Sequence, residues 1–83
     1  MAVRFRHHAL ERMEERAATK DEVTATIEQG EQFPARFGRT GFRRNFPHGW
    51  ERRGKSYQTK QVEVYAVREG PDWLVITVLT RFF

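Results

Sequence analysis

The last third of the chain alternates between two faces, and this pattern constrains the fold more than any other feature. Residues 62–67 alternate with a period of two, residues 69–72 (Glu-Gly-Pro-Asp) supply a turn, and residues 73–80 are nearly all β-branched or aromatic. We expect a β-hairpin whose buried face carries Val62, Val64, Ala66, Leu74, Ile76 and Val78. The opposite face then carries Tyr65, Trp73, Val75, Thr77, Leu79 and Arg81.

The first thirty residues predict two short helices. Leu10, Met13 and Ala17 follow the spacing i, i+3, i+7 of one helix face. Thr19 and Glu22 have the spacing of a capping box, which predicts that a second helix begins at this point and runs to Gly30.

The segment between the helices and the hairpin predicts further strands. Residues 33–37 and 42–46 have strand-like patterns separated by a turn at 38–41, whereas residues 50–56 indicate a loop. A chain of 83 residues has room for one domain, residues 1–83. We expect an α+β fold in which two N-terminal helices pack on a small antiparallel sheet of about four strands.

Positive charge is concentrated in the middle of the chain. The formal net charge is +4, yet residues 36–60 alone hold eight basic groups and one acidic group, with aromatic residues between them. Arginine and aromatic side chains in one segment are typical of nucleic-acid binding, and a solvated basic surface is the alternative. The candidate nucleic-acid contacts are Arg43, Arg44, Arg52, Arg53, Lys55, Lys60 and Tyr65.

A stripe of three basic side chains on the first helix is the candidate catalytic feature. His8, Arg12 and Arg16 are spaced i, i+4, i+8, which places them on one helix face. An imidazole with its ordinary pKa of about 6.5 suits general acid–base chemistry, and guanidinium groups suit phosphate binding. Alternatively, His8 is only a helix-start residue, and the two arginines pair with carboxylates such as Glu15.

The sequence also resembles a known family. Residues 5–16 (FRHHALERMEER), the capped second helix and residues 73–78 (WLVITV) are similar to small bacterial and phage domains of unknown function that open with H-A-x-x-R-M-x-x-R. That family resembles RelE/ParE toxins and barnase-like ribonucleases in fold. The resemblance implies an active site on the sheet and aligns His8, Arg12, Arg16 and Thr77 with the motif positions. His7 is an alternative to His8.

Other site chemistries find little support in the sequence. The chain has no cysteine, only two aspartates, and three histidines without a ligand spacing, so we expect no metal site. No glycine-rich phosphate loop is present, so we expect no cofactor. No segment is apolar enough for a membrane span or a signal peptide, which leads us to expect a cytoplasmic protein without membrane contacts.

Two functions follow as hypotheses. The first is a metal-independent endoribonuclease of toxin type, with His8 as general acid or base and arginines as the phosphate clamp. The second is a non-catalytic basic module that binds nucleic acid or a protein. The expected partners are RNA, with or without the ribosome, or another polyanion; a cognate antitoxin and a second copy of the chain are further candidates.

Overall fold

The computed structural model describes all 83 residues, which form two helices and seven strands. The elements in chain order are β1 (Val3–Phe5), α1 (His7–Glu15), α2 (Lys20–Gln29), β2 (Glu31–Pro34), β3 (Thr40–Phe46), β4 (Trp50–Arg52), β5 (Lys55–Tyr57), β6 (Lys60–Glu69) and β7 (Asp72–Phe82). Neither helix has the length and apolar character needed to cross a membrane.

The expectation of a four-stranded antiparallel sheet is wrong. The main sheet has five strands in the order β1-β7-β6-β3-β2, and it is mixed because β1 runs parallel to β7. Residues 50–56, expected to be a loop, lie mostly in a separate two-stranded sheet formed by β4 and β5. The RelE/ParE-like arrangement implied by the resemblance therefore does not describe this fold. Strands of three residues alternate only once, so they leave almost no periodic signal in the sequence.

Both helices cover one face of the five-stranded sheet and form the core with it. Ala9 and Met13 of α1 and Val23 and Ile27 of α2 are buried against the sheet. The predicted contact Leu10 is instead at the surface, 36% exposed, because α1 turns Ala9 and Met13 inward. The sheet residues of the core are Phe42, Val62, Val64, Ala66, Trp73, Val75 and Val78.

The predicted faces of β7 are only half correct, because a bulge interrupts the β6–β7 pairing. Tyr65 pairs with Thr77 and Ala66 with Val75, so Ile76 is an extra residue on β7. The extra residue reverses which side chains face the helices in the part of β7 that precedes it. Trp73 and Val75 are consequently buried under the helices, whereas Leu74 and Ile76 are not part of the core.

The junctions of the helices follow local sequence signals. At the start of α2, the Thr19 side chain accepts a hydrogen bond from the Glu22 amide, and the Glu22 carboxylate accepts one from the Thr19 amide; this confirms the predicted capping box. At the end of α1, the Ala18 amide donates to the Met13 carbonyl at 2.9 Å. Ala17, which immediately precedes Ala18, has a φ of 57°. This left-handed conformation closes a Schellman motif.

Candidate functional site

The candidate site lies on the face of the five-stranded sheet that points away from both helices, which we call the open face. Strand register places alternate residues of each strand there: Arg43 lies beside Glu63, Gly41 beside Tyr65, and Tyr65 beside Thr77. The open face carries the side chains of Phe33, Arg43, Glu63, Tyr65, Thr77 and Leu79.

Phe33 of β2 crosses the neighbouring strand because that strand has a glycine opposite it. A β-carbon at Gly41 would lie only 2.3 Å from the Phe33 ring, so only glycine leaves room for the ring in this position. The ring reaches Tyr65 in an edge-to-face contact with centroids 6.1 Å apart. Phe33 and Tyr65 thus form a continuous aromatic surface across β2, β3 and β6.

A polar network runs beside these rings. The Arg43 guanidinium lies 4.7 Å from the Phe33 ring centroid and donates to Glu63 at 3.2 Å and to Glu31 at 3.4 Å. The Tyr65 hydroxyl donates to the other oxygen of the Glu63 carboxylate. This hydrogen bond, burial and the charge of Glu63 raise the pKa of Tyr65 above its usual value of 10.0, while Arg43 opposes the shift. Tyr65 is therefore a neutral hydrogen-bonding group at physiological pH and a poor general base.

An open cavity of about 450 Å³ lies between the aromatic surface and the loop that joins β2 to β3. Its walls are mostly apolar, and its polar side chains are Tyr65, Thr77, Arg36 and Arg39. Neither loop arginine takes part in a salt bridge, so no carboxylate of the protein offsets their positive charge at the cavity. Aromatic walls, two hydroxyl groups and two unpaired cations suit a flat ligand that carries negative charge.

The loop holds an exposed aromatic residue in an unfavourable backbone conformation. The Arg39 amide donates to the Arg36 carbonyl at 3.2 Å, and the two residues between them, Phe37 and Gly38, have φ values of 61° and 69°. Positive φ at both central positions is the pattern of a type I′ turn, which favours asparagine or glycine at the first position. A residue other than glycine in the left-handed region raises the free energy of the folded state by about 1–2 kcal/mol. The Phe37 ring, 84% exposed, does not offset that cost by burial.

The candidate catalytic residues do not meet in one place. His8 is exposed on α1, and Arg12 bonds to Glu15 at 2.9 Å on the same helix. Arg16 donates to the Val78 carbonyl at 2.7 Å and thereby holds the end of α1 against β7. Thr77 lies at the cavity on the open face, so the sheet separates it from the α1 stripe.

The candidate nucleic-acid contacts are also distributed over several surfaces. Tyr65 lines the cavity, and Arg43 is on the open face but is held by two carboxylates. Arg44 points to the helix side and lies over the Phe46 ring. The hairpin formed by β4 and β5 carries three further candidates. Arg52 is partly exposed and donates to the Glu15 carbonyl, whereas Arg53 and Lys55 are exposed.

Lys60 is the candidate that the structure removes from the surface. Its side chain is 3% exposed, and its ammonium group donates to the Ala17 carbonyl and to the Glu22 carboxylate, the latter at 2.6 Å. The ammonium nitrogen also lies 4.8 Å from the Trp50 ring centroid. Lys60 therefore joins α2 and the connection between the two helices to the β4–β5 hairpin, and presents no charge to a ligand.

Of the residues that surround the cavity, the sequence singled out Tyr65 and Thr77 as candidates, but not the others. Arg36, Phe37 and Arg39 were noted only as members of the basic, aromatic segment of residues 36–60, and Phe33 only as part of the predicted strand 33–37. The available signal was the run Arg-Phe-Gly-Arg at 36–39, in which a turn glycine follows an aromatic residue that a type I′ turn disfavours.

Among these 83 residues, no group of three or more His, Asp or Glu side chains is arranged to hold a metal ion. Comparison with family models, with curated proteins and with solved structures finds no match to this chain.

Proposed function

We propose that this protein binds nucleic acid, with RNA as the first candidate, through the open face and the loop of residues 35–39, without cleaving it. The observation that carries the proposal is the cavity, which combines aromatic walls with the unpaired cations Arg36 and Arg39. Cations beside aromatic faces bind nucleic acids by holding phosphates and stacking on bases. The overall charge of +4 favours association with a polyanion.

The separation of the α1 stripe from Thr77 favours binding over catalysis. A metal-independent ribonuclease needs an acid–base group and a phosphate clamp around the same phosphodiester. His8 is exposed on α1, on the other side of the sheet from the cavity. Tyr65 lines the cavity but keeps its proton, because its hydroxyl group donates a hydrogen bond to the Glu63 carboxylate. Neither side chain therefore provides a general base at the cavity.

The test is the binding of a fluorescein-labelled single-stranded RNA decamer, followed by fluorescence anisotropy. We expect the double variant Arg36→Ala/Arg39→Ala to bind about tenfold more weakly, since each exposed ionic contact contributes up to about 1 kcal/mol. Arg6→Ala removes an exposed cation outside the cavity and serves as the control, with a change of less than about twofold.

A cleavage assay tests the non-catalytic part of the proposal. We expect the decamer to remain intact in EDTA after prolonged incubation with the protein. Cleavage that falls by 10²-fold or more in His8→Ala would overturn the proposal, because a general acid or base contributes about 10²–10⁴-fold. Absence of binding to any RNA, or equal binding by the Arg36/Arg39 variant, would also contradict it.

A further inference from the structure

Phe37 is a residue that neither stability nor solubility explains. Its backbone conformation favours asparagine, and its large apolar ring is 84% exposed beside the cavity. The Arg39 guanidinium lies 5.8 Å from the centroid of the ring. Strained residues of this kind concentrate at ligand-binding sites, where the ligand supplies the missing contact. The contact that Phe37 lacks is a flat apolar surface.

From this we propose that the cavity receives a single unpaired nucleobase, which Phe37 covers from the loop side. The inference rests on the proposed function and names the part of the nucleic acid that the site recognises. A base has two apolar faces, which match the Phe33 and Phe37 rings, and a polar edge, which matches the hydroxyl groups of Tyr65 and Thr77. The attached phosphates then lie within the field of Arg36 and Arg39.

The polar groups of the cavity define what the base edge meets. Tyr65 donates its proton to Glu63, so the free lone pairs of its oxygen accept a hydrogen bond from the base. Thr77 lies directly across the β6–β7 ladder from Tyr65, and its hydroxyl group serves as donor or acceptor. The two hydroxyl groups bond to the edge of the base that faces the complementary base in a base pair. A base in a duplex therefore cannot occupy the cavity.

Duplex and single strand therefore distinguish the base pocket from simple charge attraction. A duplex presents more phosphates along its length than a single strand, and a surface that only attracts phosphates binds the duplex at least as tightly. A pocket for an unpaired base reverses this order, because opening a base pair costs free energy that the single strand does not spend.

The experiment compares three fluorescein-labelled decamers by anisotropy: a single strand of mixed sequence, its duplex, and a decamer backbone without bases. We expect the single strand to bind about 5- to 150-fold more tightly than the other two, the range typical of one base stacked on an aromatic side chain. Phe37→Asn should lower the single-strand affinity towards that of the baseless backbone while raising the unfolding temperature of the free protein.

Arg53→Asn is the matched control, because Arg53 and Gly54 have φ values of 53° and 78° and form the same kind of turn at the β4–β5 hairpin. This variant should also raise the unfolding temperature. Loss of the exposed Arg53 charge should weaken binding to all three decamers by the same factor, so the preference for the single strand over the duplex is preserved. Equal affinity for all three decamers, or an unchanged affinity in Phe37→Asn, would overturn the base pocket while leaving nucleic-acid binding intact. Binding of none of the three would overturn both proposals.

Discussion

Ala17 occupies a position where a glycine would lower the free energy of the folded chain. Its φ of 57° belongs to the left-handed region, and the hydrogen bond from Ala18 to Met13 requires that conformation. Glycine, unlike alanine, reaches positive φ without a steric cost.

We expect Ala17→Gly to raise the free energy of unfolding by about 0.5–1 kcal/mol. Relief of the left-handed strain, about 1–2 kcal/mol, exceeds the extra entropy that glycine loses on folding, about 0.5–1 kcal/mol. Urea denaturation measures the change. Ala25→Gly in the middle of α2 is the control and should lower stability by about 1 kcal/mol. A decrease in both variants would show that the strain at Ala17 is unimportant.

Tyr65 provides a pH-dependent signal of the open-face network. Its folded-state pKa is raised above 10.0, first by the hydrogen bond to Glu63, then by burial and by the charge of Glu63. The folded state holds this proton more tightly than the unfolded state. The resulting stability is therefore complete below about pH 10 and decreases as the pH rises through the folded-state pKa.

We expect Glu63→Gln to lower the pKa of Tyr65 towards its ordinary value, because the substitution removes the carboxylate charge. Absorbance of the phenolate near 295 nm, recorded against pH, measures the shift. Subtraction of the titration curve of Tyr65→Phe assigns the transition to this residue rather than to Tyr57. An unchanged titration in Glu63→Gln would mean that the carboxylate charge of Glu63 does not contribute to this pKa shift.

At the scale of elements, the helices were predictable and the short strands were not. The capping box at Thr19 predicts where α2 begins, because both of its hydrogen bonds form within four residues. β1 contains only Val3, Arg4 and Phe5, and its partner lies seventy residues later in the chain. No local pattern reports such a pairing. The bulge near Ile76 is similarly invisible, because it depends on the register between β6 and β7.

The buried Lys60 joins several elements, and its removal should have a large effect on stability. We expect Lys60→Met to lower the free energy of unfolding by about 3 kcal/mol, because it leaves the poorly exposed Glu22 carboxylate without its partner. Thermal denaturation followed by circular dichroism measures the loss.

The double variant Lys60→Met/Glu22→Gln tests the cause. Glutamine keeps the capping-box hydrogen bond but removes the charge, so the double variant should be more stable than Lys60→Met alone. If the two substitutions are simply additive, the ion pair is not the source of the effect, and lost packing against Trp50 is the better explanation.

For the molecule as a whole, the sequence showed which segment is basic but not which surfaces its charged side chains face. The basic segment of residues 36–60 is real, yet adjacent residues of a strand face opposite ways, so Arg43 and Arg44 lie on different faces of the sheet. Carboxylates from other elements neutralise part of it, as Glu22 does for Lys60. The cavity could not be predicted because it depends on Gly41, Phe33 and a turn that only the folded chain brings together.

Salt dependence measures how many cations of the whole molecule contact phosphate. We expect the logarithm of the binding constant for single-stranded RNA to fall linearly with the logarithm of salt concentration. The Arg36→Ala/Arg39→Ala variant should reduce the slope by about 1.4, at about 0.7 for each lost phosphate contact. Phe37→Asn should weaken binding without changing the slope. An unchanged slope in the arginine variant would place the phosphate contacts elsewhere on the protein.

The parallel pairing of β1 with β7 has a consequence for how the chain reaches its final form. Val3 lies beside Trp73, so the first strand docks on the last one. Contacts between such distant segments require closing a long loop and slow down folding. During synthesis β1 has no partner until the ribosome has added β7, so the five-stranded sheet is completed only after Trp73–Val75 has been made.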